Sequence, residues 1–479
     1  MFQSISRIAA LTLVAVWGLS SARGQPPAPL PRSPAQPPAG TTPKPAIPNP
    51  QPANPAGQPA AEAGVHVETR GEIHEAFAQP YEPVVNPTAI VHKQPPDPIP
   101  EEPPSERPAG KNVQWIPGYW QWDDDRKDFS WISGSWRDVP EGRHWVVGHW
   151  TPVADGSYRV RGHWAAQQEP DFQYTQKPPE PKHEERPPAP DADSLWIPGQ
   201  WFYTENGWEW RPGYYTAMRP GYAWQPASYY WSPNGYISTS GYWDYAPDNR
   251  GLLFAPVYFD QPLWQNSGWA YRPFYALNLA AAWASLFIRP GWGYYYGDWY
   301  GRGYSGMGYT PWYAYGSRGY DPLYNYMAWN NRGNPNWMAN IQSVNQARIN
   351  GTGTLPPRTL AATTGANALV TPLNRLTTVN PNLRLQTVTP QQRATIMQNA
   401  QLMHQHSMHM GQGNFPANFS TNLRTNPGVS RSFYPGTAQP GVTNRGAVPQ
   451  GGFQQVAPIH PSFPGYAPHG GGSGGGRPD

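Results

Sequence analysis

Cysteine is absent from this sequence, and charged residues and long apolar runs are scarce. None of the 479 residues is cysteine, and 14% are Asp, Glu, Lys or Arg. A fold without disulfides must be held by its core or by aromatic contacts. The sequence also contains no nucleophile elbow, phosphate-binding loop or metalloprotease helix. We therefore expect a non-catalytic protein with no cofactor and no metal, and we keep an uncharacterised envelope enzyme as an alternative.

The first 24 residues have the pattern of a secretory signal peptide. Arg7 precedes the apolar run Ile8–Leu19, and the Ala-Arg-Gly of residues 22–24 provides a cleavage site. This run is too short to cross a hydrocarbon layer of roughly 30 Å as an ordinary helix. We predict export to the periplasm, the cell envelope or the medium, with no transmembrane span after signal removal. An uncleaved membrane anchor is the alternative.

Aromatic residues mark the part of the chain that we expect to fold. Of the 24 Trp and 29 Tyr, 23 Trp and 26 Tyr lie between Trp115 and Trp337. Residues 25–110 are rich in proline and poor in aromatics, a composition that buries too little surface to offset chain entropy. We predict a disordered stalk there, whose acidic second half (Gly64–Pro108) lies against the domain as an extended arm.

The tail, residues 338–479, is basic and of low complexity, and we predict that it is disordered. Ten arginines lie between Arg332 and Arg477, although the net charge of the whole chain is only +3. Such a tail either binds anionic envelope polymers or lipid headgroups, or is solvated and maintains solubility. Export argues against nucleic acid as a partner. Thr389 as N-cap, followed by proline, predicts one exposed, isolated helix over about 390–410.

Two blocks of four Trp-x-x-Gly-x-Trp units occupy the aromatic region. In the first block, units begin at Trp115, Trp131 and Trp145, and a degenerate unit ends at Trp164; in the second, they begin at Trp196, Trp210 and Trp224, and a degenerate unit ends at Trp243. The central positions of successive units are 14 or 16 residues apart. We place the first block at 111–168, a Pro-rich linker at 169–194, the second block at 195–248 and an aromatic, Gly/Tyr-rich continuation at 249–337.

The spacing predicts one strand and one turn for each unit. Asp-Gly at 155–156 and Asn-Gly at 206–207 and 234–235 are typical of tight hairpin turns. The fold class is therefore an all-β core: an antiparallel up-and-down meander of Trp-rich strand units in two blocks of four, flanked by long disordered N- and C-terminal segments with one tail helix. Trp115 and Trp120 are five residues apart, so we expect a bulge at Gly118 to return both to one face.

The units resemble the WXXGXW (YXWGXW) repeat of exported bacterial proteins, a family without a characterised function. The resemblance covers residues 115–243. It implies export but no reaction, cofactor or ligand.

The motif tryptophans are the candidate binding or core residues. Their indoles either interlock as a core or form exposed rows on which cell-wall glycan stacks. The candidates are Trp115, Trp120, Trp131, Trp136, Trp145, Trp150, Trp196, Trp201 and Trp210. A glycan, peptidoglycan or another envelope protein is the expected partner, and the oligomeric state stays open.

Four other clusters carry weaker hypotheses. The Met/His cluster at 403–410 could bind copper or cover apolar surface. The acidic run 123–128 is a solvated turn, because it lacks the glycine and glutamate of a calcium loop. His149 and His163 occupy equivalent positions of adjacent units, which suggests that they face each other across strands. Glu72-Ile-His74-Glu75 could supply acid–base chemistry, but no partner is recognisable in the sequence.

Overall fold

The computed structural model describes residues 63–167, 174–317, 319–334, 336–358, 360 and 368–412. All of these residues belong to one compact unit, 57–479. The predicted signal peptide, the first part of the predicted stalk and the tail after residue 412 lie outside the described residues.

The described residues are rich in short strands. The first twelve are β1 (Val65–Val67), β2 (Gly71–Glu72), β3 (Val84–Val85), β4 (Glu106–Pro108), β5 (Val113–Ile116), β6 (Tyr119–Asp123), β7 (Asp128–Ile132), β8 (Ser135–Asp138), β9 (Arg143–Val146), β10 (His149–Val153), β11 (Gly156–Val160) and β12 (His163–Ala166). The next nine are β13 (Tyr174–Thr175), β14 (Ser194–Ile197), β15 (Gln200–Thr204), β16 (Gly207–Arg211), β17 (Tyr214–Ala217), β18 (Tyr222–Gln225), β19 (Ser228–Ser232), β20 (Gly235–Thr239) and β21 (Tyr242–Tyr245). The last eight are β22 (Gly251–Leu252), β23 (Val257–Phe259), β24 (Tyr275–Leu277), β25 (Leu286–Arg289), β26 (Gly293–Tyr296), β27 (Thr310–Pro311), β28 (Val370–Pro372) and β29 (Leu385–Thr387).

The helices lie mainly in the second half of the described chain. They are α1 (Leu279–Ala282), α2 (Arg302–Gly306), α3 (Trp312–Gly316), α4 (Pro322–Asn330), α5 (Trp337–Ile349), α6 (Leu376–Val379) and α7 (Pro390–Gly411). Short 3₁₀ turns lie at Pro247–Asn249, Leu263–Gln265, Trp283–Ser285 and Leu373–Arg375.

The two repeat blocks form four long antiparallel hairpins. We call residues 113–138 hairpin 1, 143–166 hairpin 2, 194–217 hairpin 3 and 222–245 hairpin 4. In each, an outer strand pair encloses an inner one; in hairpin 1, β5 pairs with β8 and β6 with β7. The other three repeat this nesting. The predicted antiparallel all-β core is confirmed, and within the described sheets each block is two successive hairpins rather than one continuous four-stranded sheet.

The turns of hairpins 2, 3 and 4 follow the Asp-Gly and Asn-Gly pairs of the sequence. Gly156, Gly207 and Gly235 each begin the returning strand, with φ angles of 146°, 98° and 134°. Side chains with a Cβ avoid this left-handed region, so glycine allows these two-residue loops to close.

Each hairpin is interrupted at the central positions of its two units, which are glycines except for Ala227 in hairpin 4. In hairpin 1, the first strand breaks between Ile116 and Tyr119, and the facing strand breaks between Ile132 and Ser135. The pairing register is the same on both sides of the break, so neither strand gains a residue. The predicted bulge at Gly118 is therefore wrong. A symmetrical kink replaces it, and the two indoles of a unit enter different clusters of the core.

The N-terminal arm, from residue 63 to residue 110, lies against the repeat blocks and the continuation. Strands β1, β2 and β4 pair antiparallel with β23, β26 and β29, whereas β3 runs parallel to β19. Ile73, Phe77 and Ile99 of the arm are buried. The arm therefore contributes strands and apolar side chains to the core.

The predicted tail helix is present as α7. Thr389 and Gln392 form a capping box at its start, as the sequence indicates. The helix is not isolated, however, because Met403 and Met410 are buried against the first repeat block. The prediction of disorder is wrong for most of helix α5, which lies in the same tail and for which no helix is predicted.

Candidate functional site

Two proline-rich segments lie across hairpins 1 and 3. We call residues 95–101 strap 1 and residues 178–187 strap 2. Both straps contain the pattern Pro-Pro-acid-Pro-x-x-Glu. Strap 1 reads Pro-Pro-Asp-Pro-Ile-Pro-Glu, and strap 2 begins with Pro-Pro-Glu-Pro-Lys-His-Glu. Each strap ends this pattern with a glutamate at the kink of its hairpin.

In carboxylate site 1, Glu101 bridges both strands of hairpin 1. The Gly118 N–H donates to Oε2 at 3.1 Å. The Gly134 N–H donates to Oε1 at 3.0 Å and to Oε2 at 3.1 Å. The indole Nε1–H of Trp131 donates to Oε1 at 3.2 Å. The kink thus exposes backbone donors that a continuous ladder would use between strands, and one carboxylate accepts from them.

Carboxylate site 2 repeats this arrangement in hairpin 3 with Glu184. The Gly199 N–H donates to Oε2 at 3.1 Å, and the Gly213 N–H donates to Oε1 at 3.2 Å and to Oε2 at 3.0 Å. The indole Nε1–H of Trp210 donates to Oε1 at 2.9 Å. The donor set is therefore the same in both repeat blocks: two motif glycines and one motif tryptophan.

A second tryptophan fixes the backbone of each strap. The Trp120 Nε1–H donates to the Asp97 carbonyl, and the Trp201 Nε1–H donates to the Glu180 carbonyl, both at 2.9 Å. In each strap this carbonyl lies four residues before the bound glutamate. Two fixed points at the same separation set the register of the strap on the hairpin.

Glycine is required at the kinks because indole rings and the carboxylate approach the backbone closely. A Cβ on Gly134 would lie 2.4 Å from Cζ2 of Trp115 and 2.7 Å from Oε2 of Glu101. A Cβ on Gly199 would lie 2.5 Å from Oε2 of Glu184. Such contacts are shorter than packed atoms tolerate. The motif glycine thus leaves space for the strap carboxylate and for an indole ring. It does not form a bulge.

The two sites differ in burial. The exposed fraction is 4% for Glu101 and 0% for Trp131, whereas Glu184 and Trp210 are only half-buried. Burial raises the pKa of Glu101 to about 7, and the hydrogen bonds from Gly134, Trp131 and Gly118 only partly oppose this rise.

Hairpins 2 and 4 carry modified versions of the site. In hairpin 2, Arg159 stands at the position of the indole donor and pairs with Glu75. In hairpin 4, Ala227 replaces the first glycine and Ser238 replaces the donor tryptophan. The three-donor carboxylate site is thus specific to hairpins 1 and 3.

The candidate tryptophans meet in cross-strand pairs. The ring centroids of Trp115–Trp136, Trp120–Trp131, Trp145–Trp164, Trp196–Tyr215 and Trp201–Trp210 lie 5.1, 5.2, 5.1, 5.1 and 5.3 Å apart. Most of these pairs are edge-to-face, the geometry that ring quadrupoles favour. Trp150 is half-buried instead against Phe129. The other candidate indoles of the first block are buried core residues, whereas Trp196, Trp201 and Trp210 are only half-buried.

The Glu72-Ile-His74-Glu75 cluster gains partners that its sequence did not reveal. The Tyr119 hydroxyl donates to Glu72 at 3.2 Å, and Arg159 pairs with Glu75. His74 donates from Nε2 to the Pro117 carbonyl, and burial lowers its pKa to about 3. Burial raises the pKa of Glu72 to about 8. These side chains are engaged in holding the arm to hairpins 1 and 2.

A cavity of about 190 Å³ lies between α7 and hairpins 1 and 2. His404 of α7 donates from Nε2 to the Gly118 carbonyl at 3.0 Å, and Ser407 donates to the Gly148 carbonyl at 2.7 Å. The helix therefore covers the kinks of hairpins 1 and 2, and one residue of the Met/His cluster, His404, anchors the helix to hairpin 1.

The remaining metal hypotheses gain no support. His149 lies opposite Val160, and His163 lies opposite Val146, so the two histidines do not face each other. The acidic turn at 123–128 forms ion pairs with Arg70, Lys93, Arg126 and Arg289. Within the described part of the chain, no three His, Cys, Asp or Glu side chains group as metal ligands.

The glutamates of the two straps were missed because proline-rich composition suggested only a stalk and a linker. A usable signal exists: the Pro-Pro-acid-Pro-x-x-Glu pattern precedes each repeat block. Glu101 lies 17 residues before Gly118, and Glu184 lies 15 residues before Gly199. The internal duplication therefore includes a strap as well as the hairpins.

The model of the WXXGXW repeat family matches residues 114–137, 195–214 and 219–243. The chain thus carries WXXGXW repeats where the sequence predicted them, and the matches fall on hairpins 1, 3 and 4. Among curated proteins and solved structures, no significant match was found. No helix among the described residues is both long and apolar enough to cross a membrane.

Proposed function

We propose that this protein is a non-catalytic structural or interaction protein of the bacterial cell envelope, whose tryptophan–glycine hairpins bind acidic proline-rich segments. The observation that carries the proposal is the repeated carboxylate site. Glu101 and Glu184 come from different segments, yet each accepts from two motif glycines and one motif indole. The same three N–H donors bind a strap glutamate in both repeat blocks. We therefore interpret the motif as a recognition element for a carboxylate on a proline-rich segment.

A non-catalytic role also agrees with the state of the acid–base candidates. His74 is neutral and hydrogen-bonded, and Glu75 is paired with Arg159, so neither is free to act as a general base. The signal-peptide pattern of residues 1–24 supports the proposed placement in the envelope.

Limited trypsin digestion tests the carboxylate site. Lys182–His183 is the useful bond in strap 2, because Lys177 and Arg186 precede prolines. Hydrogen bonds to a charged group contribute about 1.5–3 kcal/mol each. Because the site is only half-buried and is screened by solvent, we expect a net loss of about 1.5–3 kcal/mol in Glu184→Ala, which should speed cleavage at Lys182 by roughly 10–100-fold. Glu185→Ala, at an exposed neighbouring position, should leave the rate unchanged. Equal rates in wild type and Glu184→Ala would contradict the proposal.

Glycan or peptidoglycan binding is the second candidate, and the exposed rings of hairpin 3 favour it. Tyr203 and Tyr214 are 45% and 49% exposed, and Trp208 packs edge-on against Tyr203. Rings in such positions can stack on sugars. Soluble peptidoglycan fragments should then change the indole fluorescence saturably, and Tyr203→Ala should weaken binding. A flat titration of the folded protein would eliminate this candidate.

A further inference from the structure

We infer that carboxylate site 2 also accepts an acidic proline-rich segment of another polypeptide, in exchange for strap 2. The inference rests on the proposed function, because it requires the hairpin to recognise the strap. It goes further in naming the class of partner and the hairpin that binds it.

Site 2 can open without opening the core. Trp201, Trp210 and Glu184 are only half-buried, and Lys182 and Glu185 of the strap are exposed. Site 1 has no such freedom, because Glu101 and Trp131 are both buried and Trp131 contacts His404 of α7. Exchange is therefore expected at hairpin 3 and not at hairpin 1.

The contacts of strap 2 define the chemistry of the partner segment. A backbone carbonyl must reach the Trp201 indole, and a carboxylate four residues later must reach Gly199, Gly213 and Trp210. Pro178, Pro179 and Pro181 of the strap lie next to Trp201, Ala227 and Tyr229, and together these residues line a small recess.

Basic residues of the strap add two contacts. Lys182 Nζ lies 5.0 Å from the centroid of the Trp201 ring, and Arg186 Nε donates to the Tyr215 hydroxyl at 2.9 Å. The preferred ligand is thus an extended Pro-Pro-acid-Pro-x-x-Glu segment, with a basic residue between or after its acidic positions.

Strap 2 competes with any external segment. Strap 2 ends at Pro187, and β14 of the same hairpin begins at Ser194. A tether this short gives an effective concentration on the order of millimolar. An external segment should therefore bind well only when the resident carboxylate is lost or displaced.

The test uses the full chain carrying Glu184→Ala and a synthetic peptide of residues 176–188. The peptide should bind saturably, as followed by indole fluorescence, and the matched peptide with Gln in place of Glu184 should bind at least 10-fold more weakly. The wild-type chain should bind the peptide at least 10-fold more weakly than Glu184→Ala. Adding Gly213→Ala to Glu184→Ala should abolish binding, with circular dichroism showing that the fold persists.

The outcomes separate this inference from the proposed function. If Glu184→Ala is folded and releases strap 2 to trypsin but does not bind the peptide, exchange is wrong and the carboxylate site stands. Equal affinity for the Glu and Gln peptides would also overturn exchange through the site. If Glu184→Ala does not release strap 2 at all, the proposed function fails first.

Discussion

Hairpins 1 and 3 have the same register, the same kink and the same carboxylate donors, yet they lie in different surroundings. Hairpin 1 is covered by the arm and by α7, which reaches its kink through His404. On hairpin 3, strap 2 lies at the surface, and the indoles beneath it, Trp201 and Trp210, are only half-buried. The motif therefore determines local geometry, whereas the segments packed over it determine whether the site is a fixed part of the core or an accessible surface.

The largest difference between the hairpins is expected for loss of the donor indole. Trp131→Ala should cost about 3–5 kcal/mol of unfolding free energy, because it leaves a cavity in the core. Trp210→Ala should cost about 1–2 kcal/mol, since that ring is only half-buried. Denaturant unfolding of both variants measures the difference. Equal costs would mean that burial does not separate the two hairpins.

A methyl group at the kink should produce a smaller difference. Gly134→Ala places a Cβ against Trp115 and Glu101 in a buried site, which should cost on the order of 3 kcal/mol through overpacking. Gly213→Ala meets Cζ2 of Trp196 at 2.3 Å and the Ile197 carbonyl at 2.9 Å; because the Trp196 ring is only half-buried and can shift, we expect a smaller cost of roughly 1–2 kcal/mol. Thermal melts of the pair provide the comparison, and a neutral Gly134→Ala would disprove the steric role of this glycine.

The smallest difference concerns pH and Glu101. Its pKa is about 7 in the folded protein and 4.5 as the reference for the unfolded chain, so the folded state binds more protons between these values. The contribution of Glu101 to stability is therefore full below pH 4.5 and is lost as the pH rises through 7. From pH 5.5 to 7, wild type should lose on the order of 1–2 kcal/mol relative to Glu101→Gln. A constant difference between the two proteins would show that Glu101 does not titrate in this range.

The regular parts of the fold could be predicted because their signals are local. The 14-residue spacing and the Asn-Gly turns at 206–207 and 234–235 place strands and hairpin ends correctly. The role of Gly118 could not be predicted from its own unit, because the kink depends on a second glycine, Gly134, on the facing strand. The five-residue spacing of Trp115 and Trp120 suggested that one strand carries an extra residue at Gly118. In the structure both strands are interrupted over the same number of residues, so the pairing register is unchanged.

The candidate site was largely hidden for the same reason. The tryptophans were identified, but whether an indole is buried depends on the arm and α7, which are distant in sequence. Strap glutamates lie in segments whose proline content is typical of disorder. Only comparison of residues 95–101 with 178–184 would have revealed them, since neither segment alone indicates a ligand.

The central claim, that motif glycines and an indole bind the strap carboxylate, can be tested most directly by ¹H–¹⁵N NMR of wild type and Glu184→Ala. The account predicts upfield shifts of three proton resonances, the Gly199 and Gly213 amides and the Trp210 indole, because all three lose a charged acceptor. Hairpin 1 provides the internal control, so the Gly118, Gly134 and Trp131 resonances should stay in place. If the Gly199, Gly213 and Trp210 resonances are unchanged in Glu184→Ala, the carboxylate site does not exist in solution.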